Sequence, residues 1–150
     1  MEEHASLRPA KSADFEFAWK IYLEAVKPHI TPYLHREWAD DDEKRRFATI
    51  WRTDKSSIIL FGDKQIGWLA FDETADEIVI ENGYIVPEFQ RRGIGSKIFG
   101  ELLESWSTKR KPVSLSILKN APHRLFFERL GFRATGEKDV TVSFKRPAAR

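Results

Sequence analysis

Residues 85–96, IVPEFQRRGIGS, carry the types and spacing needed to bind a phosphate group. A short apolar strand runs into a basic, glycine-punctuated turn, and the turn opens into an amphipathic helix. The first four N–H groups of a helix have no partner inside it. The helix dipole adds about +0.5 of a charge at that end. A pyrophosphate set there meets donors and a favourable field together. Gly93 and Gly95 remove Cβ atoms that would keep a ligand off the backbone, and glycine tolerates unusual φ. Arg91 and Arg92 add cationic donors suited to phosphate oxygens.

The elements that must position this turn follow from hydrophobic spacing. Leu7–Pro9 reads as a first strand. Ser12 sits where an N-cap would, followed by Phe15, Ala18, Trp19, Tyr22, Leu23 and Val26 at helical spacing. Pro28 is predicted to end that helix, leaving an irregular aromatic segment over 28–39. Asp40–Asp42 are predicted to cap a second helix with Phe47, Ile50 and Trp51 on one face. Ser57–Phe61 and Gln65–Phe71 read as strands joined by a Gly62-Asp63 hairpin turn. Glu77–Val86 reads as a fourth strand.

After the glycine turn, Ile94, Ile98, Phe99, Leu102, Leu103 and Trp106 form one apolar stripe. Val113–Leu118 is a fifth strand, so strand, helix, strand predicts a parallel crossover. Asn120 can cap the next helix, with Pro122 in its first turn. That helix is expected to carry Leu125, Phe126 and Leu130 inward and to stop at Gly131. Phe132–Gly136 and Val140–Phe144 make a final hairpin, and the tail from Lys145 to Arg150 is expected to be loose. The fold class is α/β with a mixed sheet: antiparallel N-terminal strands, and a parallel pairing of strands four and five.

The chain has 150 residues, 41% hydrophobic and 32% charged, which suits one globular domain over residues 1–150. No apolar run approaches the ~20 residues of a membrane span. The start, MEEHASLRPA, is too acidic and polar for a secretory signal. There is no cysteine, which excludes disulfides and a thiolate nucleophile and fits a cytoplasmic location. A net charge of +2 is too small to point to nucleic acid. The four histidines, His4, His29, His35 and His123, show no metal-binding spacing, so no metal is expected. A homodimer is compatible with the sequence and unmarked in it.

Glycine-rich turns of several kinds bind phosphate. A dinucleotide fingerprint needs G-x-G-x-x-G/A; here the last position is Ile98. A P-loop needs G-x-x-x-x-G-K-[ST]; here the order is Gly95-Ser96-Lys97. A tight strand-to-helix turn without a ligand also fits the glycines alone. Gln90-Arg91-Arg92-Gly93-Ile94-Gly95, however, resembles the Q/R-x-x-G-x-G/A signature of GNAT-type N-acetyltransferases. Leu115–Asn120 followed by Phe127-Glu128-Arg129-Leu130-Gly131-Phe132 resembles the second cofactor segment of that family. The element order agrees along nearly the whole chain.

The resemblance implies direct transfer of acetyl from acetyl-CoA to a primary amine. It implies pyrophosphate on the N–H groups of Arg91, Arg92, Gly93, Ile94, Gly95 and Ser96, with Gln90 in the same motif. It implies an oxyanion donor at the main chain of Ile85 or Val86, where strands four and five part. Strand alternation puts Glu81, Gly83 and Ile85 on one face, so Glu81 is a candidate base acting through a water; it is equally a half-exposed strand carboxylate. Asn120 resembles the cofactor-side asparagine and also suits a helix cap. Phe127 stands where the family usually has a tyrosine that protonates the leaving thiolate. Phenylalanine has no proton to give. The outcomes are a slow enzyme, a substitute donor such as Tyr84 or Tyr33, or a module that binds acyl-CoA without turning it over.

The acceptor amine is not readable. Tyr33 and Trp38, in the irregular segment, are the candidate acceptor-pocket residues; His29 and His35 are further ones. Asp40–Asp42 would favour a cationic amine if they faced the acceptor. Lys109–Lys111 is a solvated turn or a contact for the adenosine 3′-phosphate.

Overall fold

The computed structural model describes residues 4–148. Its strands are β1 (Ala5–Pro9), β2 (Ser56–Phe61), β3 (Lys64–Glu73), β4 (Ile78–Ile85), β5 (Val113–Leu118), β6 (Arg133–Glu137) and β7 (Thr141–Arg146). They form one seven-stranded sheet in the order β1-β2-β3-β4-β5-β7-β6. Every neighbouring pair is antiparallel except β4–β5, which is parallel. Gly62, with φ +60°, makes the two-residue turn from β2 to β3.

Helices cover both faces. α1 (Phe15–Ile30) and α2 (Asp40–Ile50) lie over one, where Ala18, Trp19, Ile21 and Phe47 pack on Ile58, Trp68 and Ala70. α3 (Ile94–Trp106) lies over the other, burying Ile94, Ile98, Phe99, Leu103 and Trp106 against Ile59, Leu69, Ile78 and Leu115. This is the stripe that the spacing predicts. Truncating one of these side chains, such as Leu103, to alanine costs about 2–5 kcal/mol. α4 (Arg124–Arg129) adds Phe126 and Phe127 to the edge of that core.

Several local expectations change. Residues Ser12–Asp14 form a 3₁₀ turn, and the local cap is Asp14, whose Oδ2 accepts the Lys11 N–H at 2.7 Å. Pro28 does not end α1; it sits inside the last turn, and the helix continues to Ile30. Ala39 is the N-cap of α2, with Asp40–Asp42 in its first turn, where negative charge suits the helix dipole. Trp51 is the C-cap of α2, and Ile50 is exposed. Leu125 is also exposed rather than inward. His123, not Asn120, is the N-cap position of α4. Gly131 follows α4 at φ +95°, as a C′ glycine does. Lys145 and Arg146 belong to β7, so the predicted loose tail is shorter, and its last two residues lie outside those described.

One relationship positions the site. β4 and β5 pair only from Ile78–Ile80 to Val113–Leu115. Past that point β4 stays with β3 as far as Ile85↔Gly67, and β5 stays with β7 as far as Leu118↔Thr141. Each strand follows its outer neighbour, and a wedge opens between them. The wedge begins at a β-bulge: Ala70 pairs with Asn82 and Phe71 with Ile80, leaving Glu81 without a partner. A bulge bends its strand and increases the local twist.

Candidate active site

The bulge sets which groups face the wedge. The Val86 N–H donates to Ile66 O at 2.8 Å. It is therefore engaged in the sheet, and the expectation of a free Val86 amide is corrected. Ladder alternation turns the N–H and C=O of Ile85 to the opposite edge. There the Gln90 side chain donates from Nε2 to Ile85 O at 2.7 Å. Gln90 thus pins the end of β4 to the turn that follows. The Ile85 N–H is left aimed into the wedge.

The turn itself is a nest of donors. A 3₁₀ turn at Pro87–Phe89 leads to Arg91 at φ +62° and Gly93 at φ +78°. Left-handed residues alternating with ordinary ones point successive N–H groups toward one concavity. Among the described residues, the N–H groups of Arg91, Arg92, Gly93, Ile94, Gly95 and Ser96 make no hydrogen bond within the chain. Arg91, Arg92, Gly93 and Ser96 are exposed. The Arg92 guanidinium lies 4.9 Å from the Phe89 ring centroid, a cation–π contact that orients it. A Cβ on Gly95 would face Phe126 Cζ at 3.5 Å, an ordinary contact distance. Lys109 and Lys111 both pair with Glu73, at 2.9 and 2.7 Å.

A cavity of about 570 Å³ occupies the wedge. Its floor is residues 80–84 of β4 and 115–118 of β5; Phe99 and Phe127 wall one side, and α1, the loop at Trp38 and α2 wall the other. Phe127 packs edge-on against Phe99, Phe126 and Phe132, with centroids 5.9, 5.1 and 5.8 Å away. Glu81 lines the cavity, exposed, and its carboxylate makes no hydrogen bond among the described residues. Trp38 lines it too, its Nε1 donating to Asp40 Oδ1 at 2.5 Å. Tyr33 falls in a 3₁₀ turn and is not among the lining residues.

Tyr84 faces the α1 side and donates its hydroxyl to Asn82 Oδ1 at 3.0 Å. Desolvation, and then Tyr22, raise the Tyr84 pKa. The phenol therefore stays protonated at neutral pH, with its proton already directed at Asn82. Asn120 does not cap α4; its Nδ2 donates to His29 O at 3.0 Å. Two histidines meet in this wall. Desolvation, and then repulsion from His29, hold the His123 pKa below its ordinary value. His123, Arg36, Glu43 and Arg46 were not singled out from the sequence. Only the i, i+3 spacing of Glu43 and Arg46 marks any of them there.

A nest of unpaired amides at a helix start, beside an open strand edge with a free amide, is an arrangement able to hold a phosphorylated co-substrate. The family model described as "Acetyltransferase (GNAT) domain" matches residues 47–134. The chain belongs to this family and is an N-acetyltransferase. It is 29% identical over 141 residues to phosphinothricin N-acetyltransferase of Streptomyces viridochromogenes, covering 87% of this chain and 75% of that one. It is 24% identical over 142 residues to the uncharacterized N-acetyltransferase YafP of Escherichia coli, covering 89% and 85%. The PaiA N-acetyltransferase of Thermoplasma acidophilum, solved in complex with coenzyme A, superposes with a TM-score of 0.71 at 14% identity, covering 95% of this chain and 98% of that one.

Proposed function

We propose that the protein moves an acetyl group from acetyl-CoA directly to a primary amine seated in the cavity. The observation that carries this is the run of six free N–H groups at residues 91–96, following the end of β4 that has parted from β5. The nest fits a pyrophosphate: its donors are unpaired and set at a helix start, and Arg91, Arg92, Gly93 and Ser96 are exposed. The wedge fits an extended chain laid between two strand edges. The Thermoplasma neighbour, which shares the fold, was solved in complex with coenzyme A.

In the reaction the amine nitrogen bonds to the acetyl carbon, the C–S bond breaks, and the thiolate carries away the electron pair. The chain has two tasks. Ile85 N–H stabilises the oxyanion that forms as the amine adds; one preorganised donor of this kind contributes about 3–4 kcal/mol. Glu81, through a water, takes the proton that the amine must lose, since an ammonium of pKa ≈ 10.4 is not a nucleophile. Phe127 gives no proton, and the phenol of Tyr84, which lines the cavity, already donates its proton to Asn82. The thiolate, near pKa 8.5 for a simple thiol, therefore leaves unassisted or takes a proton from water. The absence of cysteine favours a reducing compartment such as the cytoplasm.

The test is release of free thiol from acetyl-CoA with a panel of amines, alongside the rise in Tm with CoA. Thiol release that depends on an amine supports transfer. A CoA-induced rise with no amine-dependent release removes the transferase reading while keeping the cofactor site.

A further inference from the structure

The acceptor wall carries a charge imbalance. Glu43 is 7% exposed and lines the cavity from α2. Arg36 grips it with Nε and Nη2, at 3.0 and 2.7 Å from Oε1. Arg46 lies on the same helix one turn on, with its Nε 3.6 Å from Glu43 Oε2. That separation is an ion pair without a hydrogen bond. Two guanidiniums thus share one carboxylate, and a net positive charge remains at the wall. Arg46 makes no other side-chain hydrogen bond or ion pair among the described residues.

The remaining acidic groups do not offset this charge. Asp40 is held by Lys27 and Trp38, and Asp42 pairs with Arg45. Neither they nor Asp41 line the cavity, so the expectation that Asp40–Asp42 would draw a cationic amine has no support in their placement. Glu81 is the one further carboxylate in the lining, and it lies on the strand floor. Beside Arg46 the wall is apolar: Val26 and Ile30 of α1, and Ile50, which is 53% exposed at the rim.

We propose that the acceptor is a small amine bearing a carboxylate or similar oxyacid, whose acidic group docks on Arg46 and Arg36. This rests on the transferase reading above. Arginine offers five donors in a planar fork that matches an oxyacid bidentately, and Arg46 has its donors free. The apolar side chains cover the acceptor's carbon body, and the amine meets Glu81 and the Ile85 N–H. A second ammonium on the acceptor would be repelled by the same arginines, which disfavours polyamines.

The experiment compares matched pairs with and without the acid: L-phenylalanine with phenethylamine, L-methionine with 3-(methylthio)propylamine, and 4-aminobutyrate with butylamine. Spermidine is included. The expected result is kcat/KM about tenfold or more higher for the acidic member of at least one pair. Arg46→Gln should erase that difference and Arg46→Lys keep part of it. Equal kcat/KM within every pair, or preference for spermidine, overturns the proposal. If no amine is acetylated, calorimetric titration of the CoA-saturated protein with the same pairs decides. Binding of the acidic members that Arg46→Gln abolishes keeps the subsite while the transfer reading falls. No binding of any acidic member overturns the subsite.

Discussion

Asn120 Nδ2 donates to the main-chain carbonyl of His29, 3.0 Å away and 91 residues earlier in the chain. This bond ties the loop after β5 to the last turn of α1 across the cavity. It makes Asn120 a clamp between the two walls. Asn120→Ala should cost at most about 1 kcal/mol in stability, because the bond is exposed. Its larger effect should be a raised KM for the amine, with a smaller change for acetyl-CoA. Steady-state kinetics with each substrate varied separately decides; a rise confined to acetyl-CoA would return Asn120 to the cofactor side alone.

Gly93 and Gly95 should respond differently to alanine. At Gly93 nothing stands within 4 Å of a new Cβ, but φ is +78°. Strain of about 1–2 kcal/mol then comes from the backbone and disorders the nest. At Gly95 the helix accepts alanine, and the Cβ would meet Phe126 at ordinary contact distance. Gly95→Ala should therefore keep or raise Tm and change the CoA shift little, since the methyl points to Phe126 and Ile85. Thermal melts with and without CoA separate the two; a CoA shift unchanged in Gly93→Ala would place the pyrophosphate elsewhere.

Phe127→Tyr puts a hydroxyl at the rim of an aromatic cluster where it lines the cavity. A positioned acid contributes about 10²–10⁴ in rate, and part of that range should be recovered as a rise of about tenfold in kcat. The check is kcat at saturating acetyl-CoA. If kcat does not move, departure of the thiolate is not the slow step.

The base can be assigned from pH profiles. His123 has a pKa held below its ordinary 6.5, first by desolvation and then by His29. It is neutral at pH 7 and can accept a proton there. Were it the base, activity would rise through a pKa below 6.5, and His123→Gln would abolish that limb. With Glu81 as base, Glu81→Gln should lower kcat by about 10²-fold or more, while His123→Gln leaves the acid limb in place. Recording kcat/KM from pH 5 to 9 for both variants is sufficient.

Asp14 gives a stability prediction. It accepts two bonds from Arg8 at 2.9 and 3.0 Å and the Lys11 N–H at 2.7 Å. The Arg8 bonds first, and then the Lys11 amide, hold its carboxyl below the ordinary value against the opposing effect of burial. The folded protein then releases this proton more readily than the unfolded chain. Its contribution is complete above the unfolded pKa of about 3.9 and is lost as pH falls through the lowered folded value. Asp14→Asn should cost about 1–3 kcal/mol at pH 7 and progressively less below pH 3.9. Urea unfolding at pH 7 and pH 3 tests it; an equal gap at both would show that the charge is irrelevant.

The parts of the fold with strong period were readable from residues alone. The stripe from Ile94 to Trp106, the Gly62-Asp63 hairpin and the parallel crossover stand as the spacing predicts. The misreadings lie where tertiary contacts overrule local preference. Pro28 falls in a last turn, where the chain extends α1 rather than breaking it. Asn120 looks like a cap, but its side chain is taken by a carbonyl 91 residues away. Val86 and Ile85 look equivalent by sequence, and only the β3 ladder shows which amide is free. The acceptor wall was least legible, because Arg36, Glu43 and Arg46 carry no motif; packing alone brings the loop before α2 onto that helix.

The unpaired residue at Glu81 has a consequence for chain length. Before it, Ile78 and Ile80 belong to the α3 layer; after it, Gly83 and Ile85 do, an odd step apart. No single in–out pattern therefore fits β4, and the phase change coincides with the start of the wedge. Removing one residue there would restore a regular ladder, with Gly83 and Ile85 still toward α3 and Tyr84 still toward α1, and would remove the bend with which β4 parts from β5. The fold should accept many side chains at position 81 yet reject a shorter strand. Relatives that lose the carboxylate can keep the cleft, and relatives that lose the extra residue cannot.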